Sequence, residues 1–225
     1  MADEHSTLRA RRRAQTQRMI QGHAVRLFAE RGYDATTVND VAEAAGVSPM
    51  TVYRHFPTKE DLVLVDQRGE LVAARIAASP AEQLLARRIG DALVDAAAAL
   101  TGDDDGRAFL LTRLRLMVST PALRARHLDN QYALQQAIID ALGADAAGPE
   151  AAFRAEAAAG ACLSALHTAL VRWAEDDGRG ELPGLVAKAL TAVFGEEVFG
   201  EEVSGGKGSP ARRPSHAEAP ALVPR

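Results

Sequence analysis

The chain has 225 residues, 47% hydrophobic and 25% charged, and its 26 Lys/Arg against 30 Asp/Glu give a net charge of −4. That length admits one large domain or two small ones with a substantial buried core, and no apolar run approaches the roughly 18 residues needed to cross a membrane. A single cysteine, Cys162, excludes an intramolecular disulfide, fits a reducing compartment and reads as a small buried hydrophobe, while the polar N-terminus lacks the apolar core of a secretory signal.

The charge is unevenly placed. Residues 1–60 carry 9 Lys/Arg and 7 Asp/Glu, a balance of +2, whereas residues 61–225 carry 17 and 23, a balance of −6. The first segment holds Arg9, Arg11, Arg12, Arg13 and Arg18, which is either an arm for a DNA minor groove or phosphates, or a frayed, solvated terminus. Ile20, Ala24, Leu27 and Phe28 then recur at i, i+4, i+7 and i+8, which predicts a first helix that Gly32 ends. Thr37 with Asp40 makes a capping-box pair for a second helix, whose apolar face is Val38, Val41, Ala42 and Ala45 and whose stop is Gly46. Ser48 caps a third helix with Pro49 at its first position. This third helix, Pro49 to His55, is about two turns long and unstable alone, so its neighbours must hold it and its outer face is free. Phe56 closes it as an apolar anchor, and Thr58 with Asp61 repeats the capping logic for a fourth helix over residues 59–78.

A scaffold helix, a glycine turn and a short second helix have helix-turn-helix spacing. The run Thr36-Thr37-Val38, Val41-Ala42, Ala45-Gly46-Val47-Ser48, Thr51-Val52-Tyr53, His55-Phe56, Lys59-Glu60 and Leu62, preceded by Ala29-Glu30-Arg31-Gly32-Tyr33, resembles the N-terminal domain of TetR-family transcriptional regulators over residues 14–64. The resemblance implies that Thr37, Tyr53, His55 and Lys59 hold DNA phosphates, which set register. Ser48, Pro49, Met50, Thr51 and Arg54 lie at the start and outer face of the recognition helix. Arg54 suits either guanine or a phosphate, and Met50 and the Thr51 methyl suit a thymine methyl.

The rest reads as helices, because no segment sustains period-two alternation. After the break at Ser79-Pro80 a fifth helix is expected over residues 81–100, then a loop T-G-D-D-D-G, a sixth helix over 107–119 and a seventh from Thr120-Pro121 to about Gly143. An eighth over 149–176 is rich in small residues, and a ninth runs over 181–199. By the same resemblance the last two long helices form a homodimer interface, and the fifth to seventh form a ligand chamber. Leu110, Leu114, Met117, Tyr132, His167 and Trp173 are candidate chamber residues. Arg113 and Arg115 interrupt the apolar sixth helix, so one of them either meets an anionic ligand or both face solvent. The stretch from Arg115 to Gln131, with S-T-P-A-L-R-A-R, resembles regulators whose C-terminal domain is associated with acyl-CoA-like ligands. This predicts an apolar tunnel with a cationic mouth.

The acidic runs at 103–106 and 175–178 lack the ligand alternation of a calcium loop, and the six histidines lie near no cysteine pair, so no metal or cofactor is implied. No phosphate loop or nucleophile elbow is present, so an enzyme is not expected. Residues 204–225 have the composition of a disordered tail, and Leu222-Val223-Pro224-Arg225 resembles the remnant of a thrombin-cleavage site. The expectation is an all-α protein of about nine helices: an arm and helix-turn-helix domain over 1–64 with its motif at about 37–56, a ligand-binding and dimerisation domain over 65–200, and a tail over 201–225. It should act in the bacterial cytoplasm as a homodimeric repressor, released from double-stranded DNA at a palindromic operator by a small hydrophobic effector. The competing readings are an effector-independent DNA binder and an all-α ligand-binding protein with a vestigial helix-turn-helix.

Overall fold

The computed structural model describes residues 2–64 and 68–199, all of them helical or connecting, with no strand among the described residues. The elements are α1 (Ala2–Arg31), α2 (Val38–Ala44), α3 (Pro49–His55), α4 (Asp61–Leu64), α5 (Arg68–Ala77), α6 (Leu85–Leu100), α7 (Asp104–Ser119), α8 (Pro121–Leu142), a 3-10 turn (Gly143–Ala146), α9 (Pro149–Glu175), α10 (Leu182–Phe194) and α11 (Glu196–Phe199). The expected tail at 201–225, with its Leu-Val-Pro-Arg end, lies outside the described residues.

Two apolar clusters organise the molecule. The first joins Ile20, Ala24, Leu27 and Phe28 of α1 to Val41, Val52, Phe56, Leu62 and Val63. It is not closed by N-terminal residues alone, because Leu116 of α7 and Leu123 of α8 are buried in it. The second, larger cluster takes in α5 to α10 and has Trp173, fully buried, among its largest side chains. Cys162 is fully buried in it, and burial pushes its thiol pKa up to about 12, so it packs as an apolar group.

Several boundaries differ from the sequence expectation. The arginine-rich arm is helical and continuous with α1. The expected fourth helix is represented by α4 and α5, on either side of residues 65–67, which are not described. α6 starts at Leu85 rather than residue 81, because after Ser79-Pro80 the chain makes a turn closed by Gln83 N–H to the Pro80 carbonyl, 3.2 Å. The acidic loop is partly a helix start: the Asp103 carboxylate accepts the Gly106 N–H at 2.6 Å, and Asp104 and Asp105 occupy the first turn of α7, where negative charge complements the helix dipole. The ninth expected helix is split into α10 and α11 by Gly195 at φ +86°.

The buried Arg88 was not anticipated as a structural residue. It reaches from α6 to the Ser79 hydroxyl at 2.8 Å and to Asp145 of the 3-10 turn at 2.6 Å, fastening the two connections that flank the bundle.

Candidate nucleic-acid interface and ligand chamber

The reader is assembled from local signals. Thr37 has extended dihedrals. Its backbone N–H and hydroxyl both donate to the Asp40 carboxylate at 2.7 Å, and its hydroxyl accepts the Asp40 N–H at 3.2 Å. The side-chain bond from Thr37, followed by the backbone bond, holds the Asp40 carboxyl below its usual pKa. α2 ends in a Schellman arrangement: Val47 N–H reaches the Ala42 carbonyl and Gly46 N–H the Glu43 carbonyl, with Gly46 at φ +65°, where a side chain would be strained. The turn delivers Ser48, whose hydroxyl accepts the Thr51 N–H at 3.1 Å and lies 2.9 Å from the Thr51 hydroxyl. Pro49 follows at the first helical position.

α3 is divided sharply between its two sides. Val52 and Phe56 are buried at 0% and 1% exposure, whereas Met50 and Tyr53 are 75% and 48% exposed. Pro49 and Arg54 are also exposed, and Thr51 is half-buried. His55 is half-buried, with its Nδ1 sealed away from solvent and without a hydrogen-bond partner. Burial, then the charges of Arg13 and Arg54, hold its pKa below the ordinary value of 6.5.

Lys59 is a correction. Its ammonium donates to the Tyr33 carbonyl at 2.6 Å and lies over the Tyr33 ring at 4.3 Å. This anchors the α1–α2 connection and engages the charge within the N-terminal domain. Asp61, 1% exposed, closes the reader on its other side. It accepts the Thr58 N–H at 3.0 Å on one oxygen and both Nε and Nη2 of Arg126 on the other, at 3.1 and 2.9 Å. This pair ties α4 to α8, and sequence reasoning missed it.

A cavity of about 340 Å³ lies among α5 to α9. Leu110, Arg113, Leu114 and Met117 of α7 line it, as do His127, Asn130 and Gln131 of α8, which sequence reasoning did not single out. Arg113 is buried and its Nε donates to the Val63 carbonyl of α4, whereas Arg115 is exposed and paired with Asp177. Three expected lining residues lie elsewhere. Tyr132 is 73% exposed on the outer face of α8. Trp173 is sealed in the core, its indole N–H donating to the Gly180 carbonyl at 3.2 Å. His167 is not among the lining residues and meets one of them, its Nδ1 3.1 Å from Nε2 of His127. Among the described residues no three His, Cys, Asp or Glu side chains gather as a metal site, and no helix is long and apolar enough to cross a membrane.

Comparison with known proteins follows this division. Residues 22–65 match the family profile of bacterial regulatory proteins, tetR family, and residues 97–196 match the MftR C-terminal domain. The chain is 32% identical over 129 residues to the HTH-type transcriptional repressor AcnR of Corynebacterium diphtheriae, a match covering 56% of this chain and 62% of that protein. It therefore spans less than two thirds of that relative's own length. It is 25% identical over 191 residues to MftR of Mycobacterium tuberculosis, named for mycofactocin biosynthesis, covering 84% of this chain and 93% of the relative. Among solved structures, FadR of Thermus thermophilus in complex with lauroyl-CoA superposes with a TM-score of 0.51 at 20% identity, covering 87% of this chain and 100% of that one. At that identity the likeness speaks for the fold.

Proposed function

Because the chain belongs to the TetR family of bacterial regulatory proteins, we propose that it is a ligand-responsive DNA-binding transcriptional regulator. In this reading it is a cytoplasmic homodimeric repressor that leaves a palindromic operator when a small hydrophobic effector binds. The observation that carries the proposal is the two-sidedness of α3: Val52 and Phe56 are anchored while Met50, Tyr53 and Arg54 face outward. Nothing in core packing calls for that exposed side, and a major groove accepts it. In this reading Tyr53, His55 and the Thr37 region meet phosphates. Ser48, Pro49, Met50, Thr51 and Arg54 meet the groove, and Lys59 positions the domain.

Two-fold half-sites about 34–36 Å apart need two readers. The faces of α9 and α10 suit self-association, since Ala157, Ser164 and Thr168 leave a shallow exposed strip and Phe153 and Val193 are exposed at 66% and 55%. For the effector, the cavity is at the small end of ligand pockets. Its leucine walls suit an acyl chain or comparable apolar group, and the polar members of its lining, Arg113, His127, Asn130 and Gln131, suit a carbonyl or carboxyl head. The lauroyl-CoA complex of the Thermus protein supports an acyl-CoA-like class. Arg113 and Arg126 both tether α4 to the chamber helices, so an effector that binds one arrangement of α4 better than another shifts the spacing of the readers.

Selection of bound duplexes from a random-sequence pool tests the reading, with a two-fold symmetric site expected. Tyr53→Ala should weaken binding about tenfold whatever the sequence, a loss of roughly 1.4 kcal/mol, and a change at Arg54 should alter the preferred bases. Recovery of no duplex at low salt would sink the proposal. A thermal-shift series of acyl-CoAs, fatty acids and aromatic compounds tests the effector class, which fails if no acyl-CoA raises the melting temperature.

His55 adds a pH dependence. Its free-state pKa is depressed, so the neutral ring is favoured in the fold, and its stabilising contribution is present above about pH 6.5 and lost as pH falls through the folded value. A DNA phosphate beside the ring raises the pKa again, so DNA binding takes up a proton. Affinity should therefore increase as pH falls from 7.5 towards 6, and His55→Gln should abolish the dependence. Affinity unchanged across that range in the wild type would show that His55 meets no phosphate.

A further inference from the structure

The packed chain does not stop at α10. Gly195, at φ +86°, turns it, and the four residues of α11 (Glu196–Phe199) pack onto α6. Phe199 meets α6 at Gly90, which is buried within that helix. A Cβ at position 90 would overlap two carbons of the Phe199 ring and lie 3.1 Å from a Leu190 methyl carbon. Carbon atoms in contact keep about 3.5–4.0 Å, so a side chain at position 90 and a ring in this place exclude each other. Glycine inside a helix is unfavourable relative to alanine; here its missing side chain makes a socket for the ring.

The socket is also fastened. Arg87 of α6 donates from Nη1 to the Val198 carbonyl at 3.0 Å, and its guanidinium carbon lies 5.6 Å from the Phe199 ring centroid. Asp91 accepts from Nε of the same arginine at 3.0 Å, which fixes the guanidinium. Phe194, the last residue of α10, meets the Phe199 ring with 5.7 Å between centroids. A four-residue helix does not persist without such contacts, so α11 is either seated or undone. What it seats against is shared with the cavity. One turn beyond Gly90, α6 presents Leu93, Ala96, Ala97 and Leu100 to the cavity. Leu190, at the socket, belongs to the same buried cluster as Leu93 and Ala97, and Phe194 and Phe199 pack against that cluster. A close-packed interior transmits a displacement along a rigid helix, here from the socket to the cavity wall.

We propose that α11 is a latch that positions the α6 wall of the effector chamber, with Gly90 as the socket and Phe199 as the positioning residue, so that effector binding and latch release are coupled. This rests on the reading of the α5–α9 cavity as the effector site. With the latch undone, α6 can yield, and the chamber loses the preformed shape on which affinity depends. By linkage, an effector that prefers the latched chamber holds the latch shut by the same factor.

The test uses the full chain as wild type, F199A, F199L, G90A and G90A/F199A, with lauroyl-CoA as the probe. Calorimetric titration should show F199A and G90A binding lauroyl-CoA about tenfold more weakly, a typical allosteric coupling, with F199L between them and the wild type. G90A/F199A should bind no worse than F199A, because alanine at position 90 then meets no ring, and this non-additivity marks a direct contact. Affinity of F199A for the selected duplex without effector should equal that of the wild type, since Phe199 packs on the larger cluster and α3 on the other. Brief chymotrypsin digestion read by mass spectrometry should cut after Phe199 faster in G90A than in the wild type, and lauroyl-CoA should slow that cut in the wild type. The Phe199 side chain lies at the margin of the core, so F199A should remain folded; with the wild-type digestion it decides the matter even if G90A does not fold. Wild-type lauroyl-CoA affinity in F199A overturns the latch. So do additive losses in G90A/F199A, or a cut after Phe199 that lauroyl-CoA leaves unchanged. Failure of the wild type to bind lauroyl-CoA is a different result: it removes the effector reading, and the latch with it.

Discussion

Phe56→Ala should cost about 3–5 kcal/mol of stability, the range for deleting a fully buried aromatic side chain, and should abolish DNA binding although every exposed residue of α3 is retained. The ring is 1% exposed at the C-cap of α3, where its N–H closes the helix on the Val52 carbonyl at 2.8 Å. A helix of seven residues does not hold its shape in water. Val52 and Phe56 are its buried side chains on the inner face, so removing one leaves the peg unsupported. The larger cluster, which includes Trp173, is separate from this contact. Urea unfolding followed by circular dichroism should therefore show an early transition for the N-terminal cluster ahead of the main one, a departure from two-state behaviour. A single wild-type-like transition with full operator affinity would mean that α3 is held by something other than its inner face.

The reader was legible in the sequence because its signals are local. Thr37 with Asp40, Gly46, Ser48 with Pro49, and Thr58 with Asp61 each act within about one helical turn, and each makes the bond its spacing implies. The chamber was less legible, because which side of a long helix faces inward depends on partners far along the chain. Even so, some of that information was present. Leu110, Arg113, Leu114 and Met117 share an i, i+3, i+4, i+7 register, which marks Arg113 rather than Arg115 as the inward arginine. On α8, His127, Gln131, Leu134 and Ile138 follow one stripe, and Leu128 and Tyr132, one residue out of step, are 60% and 73% exposed. Reading apolar character without register placed Tyr132 on the wrong side. The engagement of Lys59 within the N-terminal domain had no sequence signal: its partner is the carbonyl of Tyr33, and a carbonyl is available at every residue. The pairing of Asp61 with Arg126 was hidden for a related reason, since the capping role of Asp61 already accounted for it locally.

That pair gives the second large effect. Asp61→Ala should destabilise the protein by about 3 kcal/mol, the low end for breaking a buried ion pair, because the Arg126 side chain is 38% exposed and can be partly rehydrated. Arg126→Ala should cost at least as much, since it leaves a carboxylate that is 2% exposed with only the Thr58 cap to stabilise it. The double variant should be less damaging than the sum of the two, with a coupling energy of about 1–3 kcal/mol from the thermodynamic cycle. The consequence for regulation is separable from stability. Arg126 is adjacent to His127, which lines the cavity, and Asp61 begins α4 directly behind the reader. Cutting this tether should leave effector affinity close to wild type at a temperature where the variant is folded, yet reduce the change in operator affinity that the effector produces. Linkage requires the same reduction whichever ligand is added first. Anisotropy titrations of labelled operator with and without saturating effector measure it directly. A variant that still responds fully would place the coupling on the remaining tether, from Arg113 to the Val63 carbonyl, where the cavity wall itself holds α4.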